Sequence, residues 1–545
     1  MKRRKFLSTS TTMAWASVAA LSACGGGGGG GSPAPVPSPS PSPSPTPAPG
    51  PTPAPSPTPT PAPVTGPAWA MLGRNAQHTA VSAIATQDMN RIGWSTPVDL
   101  APQYTSGGAL LAHYGTPVIT TQNTVVIPVK TGPTSGFRVE ARNGADGSLI
   151  WSQTSDYVMP THNWVPTYNA VLTPAGRAYA PGAGGKLLMR VSADNAGAFT
   201  NVVFYGSAAY DANPAAFNTT VFINTPITSD SAGNLFFGFV VTGTNPAGLQ
   251  SGFARVDAAG NGSWVPATTI AGDATIAKCA MNCAPALSPD EGTVYIAVNS
   301  TAVTGTPAFG YLLALNSTTL ALRNKVLLLD PVTGLRARVE DNGTSSPAVA
   351  SDGRVFLGVL DNPFASHNAR GWMLQFTSTL ASAGAPGSFG WDVTPSIIPA
   401  GMVPGYVTTS TYLIAVKYNN YQGIGSGNGA NRLAVLDPSQ TQIDFISGNT
   451  VMREVRTITG PTFEPGSSVA VKEWCINTMA ADPAGNTIIA NSEDGVLYRW
   501  HLPSNTFTQS IRITNGLGEA YTPTAIGADG TVYAIGNAKL FAVKA

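Results

Sequence analysis

A unit of about 58 residues recurs through most of the chain, and it restricts the possible folds more than any other feature. Each copy contains an apolar strand, a polar turn rich in Gly, Asp or Asn, and a second apolar strand. The copies begin at Thr116, Tyr168, Asn224, Cys283, Ser346, Ser410, Asn477 and Thr522. A period of about 40 to 60 residues with four short strands per unit is typical of a β-propeller blade.

Within each unit the side chains alternate with period two, as in TVYAIG near the C-terminus. We therefore predict an all-β protein with a single eight-bladed propeller over 65–545. The last unit is one strand short, and RIGWSTPV from Arg91 to Val98 is a strand without a unit of its own. Pairing the two would close the ring and remove both sheet edges. We expect the protein to be a monomer. Seven blades are the alternative if the divergent segment near Tyr412 is an insertion.

The N-terminus has the layout of an export signal. Residues 1–23 begin with a basic cluster and continue through a modest apolar stretch that is too short to remain in a bilayer. Leu21 to Cys24 resembles the bacterial lipobox, which implies cleavage before Cys24 and acylation of its thiol. Arg3 to Leu7 also resembles the twin-arginine pattern, from which Lys2 and Ser8 depart, so the export route is open. The residue after the cysteine is Gly25 and not an aspartate, which resembles lipoproteins that are sorted to the outer membrane.

Residues 24–64 form a linker with a biased composition. Seven glycines run from Gly25 to Gly31, and every second residue from Pro33 to Pro63 is proline. Such a tract cannot bury a core, and we expect a disordered, extended spacer of roughly 100 Å. Past the basic start the chain has no basic tract, so we expect no nucleic-acid partner. Contact with the membrane is expected through the N-terminal lipid only.

One segment carries a family resemblance. ARNGADGSLIW, from Ala141 to Trp151, resembles the tryptophan-docking repeat of quinoprotein (pyrroloquinoline quinone) propellers, and WAMLGRNAQHT from Trp69 resembles the entry segment of that superfamily. The resemblance implies a quinoprotein-like propeller whose tryptophan packs between neighbouring blades. Propellers of this superfamily include dehydrogenases and an outer-membrane lipoprotein that binds protein partners.

The dehydrogenases hold their quinone between a Trp and a vicinal disulfide, with a metal such as calcium bound by Glu, Asn and Asp. This sequence has no Cys-Cys pair, and we expect no cofactor, with the quinone and calcium as the alternative. After Cys24 the cysteines are Cys279, Cys283 and Cys475, and the first two are close enough in KCAMNC to form a disulfide. No metal-binding motif is recognised.

Polar and aromatic residues are concentrated in the loops that lead into the innermost strands. In a propeller these loops converge on one mouth of the channel. We predict binding there by His113, His162, Asn163, Trp164, Asp341, Glu473, Trp474, Glu519 and Tyr521. The same loops carry Tyr114, Lys278, Asn282 and Asn342. The alternative is that these groups only hydrate the channel and bond neighbouring blades. HNARGW, from His367 to Trp372, is expected at the rim or surface.

These features predict a lipid-anchored propeller of the bacterial cell envelope, most simply in the outer membrane. Its expected role is a non-catalytic binding or scaffold module for an envelope protein or a small polar ligand. No nucleophile elbow, zinc-protease motif or phosphate loop is present in the sequence. The alternative is an enzyme with its site at the channel mouth, either a quinone-dependent dehydrogenase or a hydrolase or lyase.

Overall fold

A computed structural model describes residues 64–545 except 105–109, 111–113, 134, 161–167, 301–306, 344 and 517–521. The described strands form eight antiparallel sheets, numbered here as blades 1 to 8 in chain order. Within each blade the chain runs from the innermost strand to the outermost. The predicted eight-bladed propeller is therefore confirmed.

Blades 1 to 4 each have four strands or more. Blade 1 contains Val118–Ile119, Thr124–Lys130, Phe137–Asn143 and Leu149–Ser155. Blade 2 contains Val171–Leu172, Ala178–Pro181, Leu187–Arg190 and Thr200–Val202. In blades 3 and 4 the innermost strand is split into two pieces that pair with the same neighbour. Blade 3 contains Val221–Ile223, Thr228–Ser229, Leu235–Val241, Gly252–Val256 and Gly262–Pro266. Blade 4 contains Lys278–Cys279, Ala286–Leu287, Thr293–Asn299, Gly310–Asn316 and Leu322–Leu327.

Blades 5 to 8 complete the ring. Blade 5 has three described strands, which are Ala348–Val349, Val355–Val359 and Trp372–Phe376. Blade 6 contains Ser396–Pro399, Tyr412–Tyr418, Arg432–Ile443 and Thr450–Thr459. Blade 7 contains Ala480–Asp482, Thr487–Asn491, Val496–His501 and Thr506–Arg512. Blade 8 contains Ala525–Ile526, Val532–Gly536, Lys539–Lys544 and, as its outermost strand, Arg91–Pro97.

The N-terminal strand closes the ring as predicted. Arg91 pairs with Lys544 and Pro97 with Lys539 in antiparallel register. The seven-blade alternative is wrong, because Tyr412–Tyr418 is the second strand of blade 6 rather than an insertion. Closure leaves no open edge between the first and last blades.

The tryptophan of the docking motif joins blade 1 to blade 2. The indole nitrogen of Trp151 donates to the Ala193 carbonyl at 2.8 Å, and the Arg190 guanidinium lies 3.8 Å from the ring centre. The closing strand repeats this contact one blade earlier, since Trp94 donates to the Gly144 carbonyl at 2.9 Å. Two successive blade junctions thus use the same side chain in the same way.

Helices are few and short in the described residues. The α-helices are Ser207–Ala212, Pro214–Asn218 and Ala267–Ala271, and the 3-10 helices are Ala183–Gly185 and Ala400–Met402. None of the described helices has the length and apolarity needed to span a bilayer.

The channel has two ends, which we name by chain direction. The chain enters each innermost strand at the entry end and leaves it at the exit end. At the exit end the segment 66–87 runs once around the ring, and its backbone bonds to six blades in circular order. These bonds join Trp69 to Ile119, Ala70 to Leu172, Ala76 to Leu287, Gln77 to Val349, Thr79 to Ile397 and Ala80 to Ala481.

The same segment reaches the remaining two blades. The Gln87 amide donates to the Gly530 carbonyl of blade 8 at 2.9 Å. His78 is fully buried, with Nδ1 2.8 Å from the Pro347 carbonyl and Nε2 3.5 Å from the Thr228 hydroxyl of blade 3. Trp69 is also almost fully buried, so this end of the channel is filled by the protein itself.

An outer hairpin of blade 6 packs against blade 5, which has only three described strands. Its two strands change register between Asp437 and Thr441, and beyond this shift the Met452 amide donates to the Pro386 carbonyl at 2.8 Å. Asp444 at its tip forms an ion pair with Arg370 at 3.2 Å, and both side chains are completely buried. The hairpin thus covers part of blade 5 and makes this junction unlike the others.

Candidate functional site

The sequence analysis selected nine binding residues for the entry end, and the structure describes three of them. Asp341, Glu473 and Trp474 are among the described residues. Six of the predicted binding residues lie outside the described residues, and so does the predicted lipidation site Cys24. Those six are His113, His162, Asn163, Trp164, Glu519 and Tyr521.

Asp341 is the centre of a buried polar network between blades 4 and 5. Its carboxylate accepts from the Lys278 ammonium at 2.6 Å, the Asn299 amide at 2.8 Å and the Met281 backbone amide at 3.1 Å. The Lys278 and Asp341 side chains are 2% and 0% exposed, respectively. Burying these charges is tolerated because each is paired and hydrogen-bonded. The network therefore joins two blades.

Two further buried lysine–aspartate pairs lie near this end of the ring. Lys417, next to the end of the second strand of blade 6, pairs with Asp392, and both are buried. Lys130, the last residue of the second strand of blade 1, pairs with Asp99 at 2.8 Å. The Tyr114 hydroxyl also donates to Asp99, at 2.9 Å, which makes this loop residue a part of the same pair.

Asparagine side chains link blades around the entry end. Asn282 donates to the Asp341 carbonyl at 3.0 Å, and Asn224 donates to the Cys279 carbonyl at 2.9 Å. Asn419 bonds both the amide and the carbonyl of Trp474, and Asn491 donates to the Ile535 carbonyl at 2.9 Å. For these residues the structure supports the structural interpretation, in which entry-end polar groups bond neighbouring blades.

The prediction that Trp474 would stack on a ligand is wrong in this structure. Its side chain is 0% exposed and packs edge-on against Tyr498, with ring centres 5.7 Å apart, and against Phe507. The indole belongs to the apolar core between blades 6 and 7. The Asn419 bonds fix its backbone, and the packing against Tyr498 and Phe507 encloses the ring.

The predicted Cys279–Cys283 disulfide is not formed, and the three described cysteines are buried thiols outside any disulfide. The Cys279 thiol donates to the Gly252 carbonyl of blade 3 at 3.3 Å, which uses it to join blades 3 and 4. Burial raises the pKa of Cys279 well above its usual range and that of Cys283 to about 12. Both thiols stay protonated at neutral pH and are poor nucleophiles.

A small acidic cluster at blade 7 includes Glu473 and two residues that the sequence analysis did not select. The side-chain atoms with which Glu473, Cys475 and Glu493 could bind a metal ion, a carboxylate oxygen or Sγ, lie within 4.8 Å of one another. The Cys475 thiol donates to Glu493 at 2.9 Å. The two carboxylates are half-buried. The spacing Glu-x-Cys, which places two side chains on one side of an extended segment, was the available signal.

The segment HNARGW is buried, not at the rim as predicted. The His367 and Trp372 rings stack at 3.7 Å, and Arg370 lies in the ion pair with Asp444 described above. Burial lowers the pKa of His367 to about 3, so this imidazole is neutral. Asp444, the partner of Arg370, lies on the blade 6 hairpin, 74 residues away in sequence, so local sequence patterns could not reveal it.

Comparison with solved structures identifies the same fold in quinone-dependent alcohol dehydrogenases. A europium-containing methanol dehydrogenase is 12% identical with a TM-score of 0.51, covering 86% of this chain and 89% of that one. The quinohaemoprotein alcohol dehydrogenase of Comamonas testosteroni is 10% identical with a TM-score of 0.53, covering 87% and 80%. A quinohaemoprotein alcohol dehydrogenase of Pseudomonas putida HK5 is 13% identical with a TM-score of 0.50, covering 88% and 76%.

No protein-family model matches the chain, and no curated protein matches it in sequence. The predicted likeness to quinoprotein propellers is confirmed at the level of the fold. At this identity the likeness extends to the fold alone.

The described entry-end residues do not form the quinone sandwich of those dehydrogenases. The ammonium groups of Lys278 and Lys417 neutralise Asp341 and Asp392, whereas the carboxylates of Glu473 and Glu493 lie beside the Cys475 thiol. A sandwich needs an accessible indole and a vicinal disulfide, whereas Trp474 is in the core and the chain has no adjacent cysteines. We derive no reaction step through such a cofactor.

Proposed function

We propose that this chain is a non-catalytic binding module of the bacterial cell envelope that recognises a protein partner at the entry end of its propeller. The observation that carries the proposal is the difference between the two channel ends. The exit end is filled by the segment 66–87, whereas the entry end presents the half-buried carboxylates of Glu473 and Glu493.

The chemistry of the described entry-end groups supports binding over catalysis. The lysines and aspartates that could serve as acid or base are paired with each other in buried ion pairs. The Cys279 and Cys283 thiols are protonated because they are buried. A catalytic base or nucleophile must be able to reach the substrate, and these buried groups cannot.

The location follows from the N-terminal sequence. The proposed maturation cleaves residues 1–23 and attaches a lipid to Cys24, and the linker 24–64 then separates the propeller from the membrane. Such a linker lets the propeller reach partners at a distance without a transmembrane segment. The location predicts that a Cys24→Ala variant loses incorporation of a labelled fatty acid and leaves the membrane fraction.

Site-specific photocrosslinking in cells tests the binding face. The full-length chain would carry a photoreactive phenylalanine analogue at Glu493 on the entry side, or at Asn261 in an exposed exit-side turn as the matched control. We expect one discrete adduct from position 493 and none from position 261. An adduct from position 261 alone, or none from either position, would contradict the proposal.

A further inference from the structure

A groove of about 400 Å³ opens on the exit face between blades 4 and 5, away from the entry end. Asp290 in the inner turn of blade 4 and Asp352 in the inner turn of blade 5 line it. The outer strand of blade 4 adds Arg323 and Asn324, and all four residues are exposed. Sites for small molecules occupy about 300–1,000 Å³, so the groove is large enough for one sugar ring.

Bonds between the two blades fix the shape of the groove. On its floor the buried Tyr295 of blade 4 donates from its hydroxyl to the Ser378 carbonyl of blade 5 at 2.9 Å. On the blade 4 wall Arg323 donates to the Thr293 hydroxyl at 2.7 Å, which orients the guanidinium. The polar groups are therefore positioned before a ligand arrives, which reduces the entropy lost on binding.

The groove is balanced in charge. A hydrogen bond from Ser288 and the charge of Arg323, among other contacts, lower the pKa of Asp290. Asp352 accepts from the Tyr412 hydroxyl at 3.1 Å, and its carboxylate lies 3.9 Å from Nε of Arg354. Arg323 thus acts electrostatically on Asp290, and Arg354, which lies beside the groove, acts on Asp352. A charged ligand gains no net attraction from such a site, whereas a neutral ligand with many hydrogen-bonding groups does.

The donors and acceptors define the chemical class of that ligand. Carboxylates only accept hydrogen bonds, guanidinium groups only donate them, and amide and hydroxyl groups do both. Vicinal hydroxyls of a sugar donate and accept at once, and they match paired carboxylate and guanidinium groups. The rim adds the hydroxyls of Ser351 and Thr379. We propose that the blade 4–5 groove binds a neutral saccharide, separately from the protein-binding entry end.

A second inter-blade groove provides an internal control. It lies between the inner turns of blades 2 and 3, measures about 170 Å³ and is lined by Arg177, Tyr179 and small residues, with no carboxylate. Arg177 donates to the Ala258 carbonyl at 3.1 Å. The two grooves are in equivalent locations but differ in their hydrogen-bond acceptors. Comparing Arg323→Ala with Arg177→Ala therefore separates a specific loss of ligand binding from a general effect of removing an arginine.

Saturation-transfer NMR on the full-length protein tests the proposal. The probes are methyl α-glucoside, methyl α-mannoside, methyl β-galactoside and N-acetylglucosamine, with glucuronate and glucosamine as charged counterparts. We expect at least one neutral probe to bind with a Kd of about 1 mM or lower. Arg323→Ala should weaken it about tenfold or more, because it removes a charged donor, whereas Arg177→Ala should leave it unchanged.

A second variant guards against a misfolded first one. Ser351→Trp places a bulky ring at the exposed rim and should abolish binding with an unchanged thermal midpoint. The proposal is overturned if no neutral probe saturates, if a charged counterpart binds better, or if Arg323→Ala and Ser351→Trp bind as the parent does. Photocrosslinking at position 493 is independent of all these outcomes.

Discussion

The two ends of the channel are built from different parts of the chain. The exit end is closed by one segment whose main chain bonds successive blades, and its side chains matter mainly where space is tight. The entry end is held by side chains, through buried lysine–aspartate pairs and asparagine amides. The exit end should therefore respond to changes in backbone geometry, and the entry end to loss of a single charge.

The largest expected effect is at the entry end. Asp341→Ala leaves the buried Lys278 ammonium without its carboxylate, and breaking one partner of such a pair costs about 3–5 kcal/mol. The double variant Lys278→Met/Asp341→Leu removes both charges and should recover most of this loss. Urea unfolding of the three proteins measures the difference. A single variant as stable as the parent would show that the pair is not buried as described.

Acid should destabilise the exit end through His78. Burial holds its pKa at about 4, below its ordinary value of 6.5. Between these values the unfolded chain binds a proton that the folded chain does not. Stability that is fully present above pH 6.5 is therefore lost as the pH falls towards 4, by about 1.4 kcal/mol for each pH unit.

His78→Gln should make this pH dependence shallower by the contribution of one histidine. His501→Gln, at a half-buried residue of the outer half of blade 7, serves as the comparison for the loss of a histidine elsewhere in the ring. Unfolding free energies at pH 7, 6 and 5 give the comparison. Equal slopes in the parent and His78→Gln would show that this imidazole is accessible to protons when folded.

Backbone geometry at the exit end gives a smaller effect. Gly73 has a φ of +62°, and a Cβ there would lie 2.7 Å from the His78 Cα. We expect Gly73→Ala to cost about 2 kcal/mol. Gly176→Ala is matched in φ, at +75°, but meets nothing within 4 Å. Urea unfolding should show a larger loss of stability for Gly73→Ala than for Gly176→Ala, and the difference measures the contact between the new Cβ and His78. Equal losses would mean that only the positive φ destabilises the variant.

The smallest effect belongs to the blade junctions that use tryptophan. Trp151→Phe loses the bond to Ala193 and weakens the contact with Arg190, whereas Trp94→Phe loses the bond to Gly144. We expect about 1–2 kcal/mol for the first and about 1 kcal/mol for the second. Thermal unfolding should show the larger loss of stability for Trp151→Phe. A larger loss for Trp94→Phe would show that the contact between Arg190 and Trp151 does not stabilise the fold.

The blades were predictable because their signal is local. Period-two alternation and Gly or Asp turns mark most units, whereas the divergent strand Tyr412–Tyr418 is buried along its whole length and lacks that alternation. The closing strand followed from counting, because the last unit lacked a strand. The segment around Trp69 was recognised only by resemblance, since only a few of its residues bond to any one blade and it has no period of its own.

The candidate site was less predictable because burial depends on partners far away in the sequence. Asp341 was selected as a ligand-binding group, yet Lys278, 63 residues earlier, neutralises it. Arg370 was expected near the surface, as charged loop residues usually are, but Asp444 allows it to be buried. Trp474 was read as a stacking platform, whereas Tyr498 and Phe507 enclose it. Loop position is visible in the sequence, but the pairing partner is not.

The most direct test of the central claim is a spectroscopic titration of the full-length protein with pyrroloquinoline quinone, with and without calcium. The entry-end carboxylates of Asp341 and Asp392 are paired with lysines, and the indole of Trp474 lies in the core. We therefore expect no saturable change in the quinone absorption band. Saturable binding near one equivalent with a shifted quinone band would contradict it. That result would replace the binding module with a quinone-dependent enzyme.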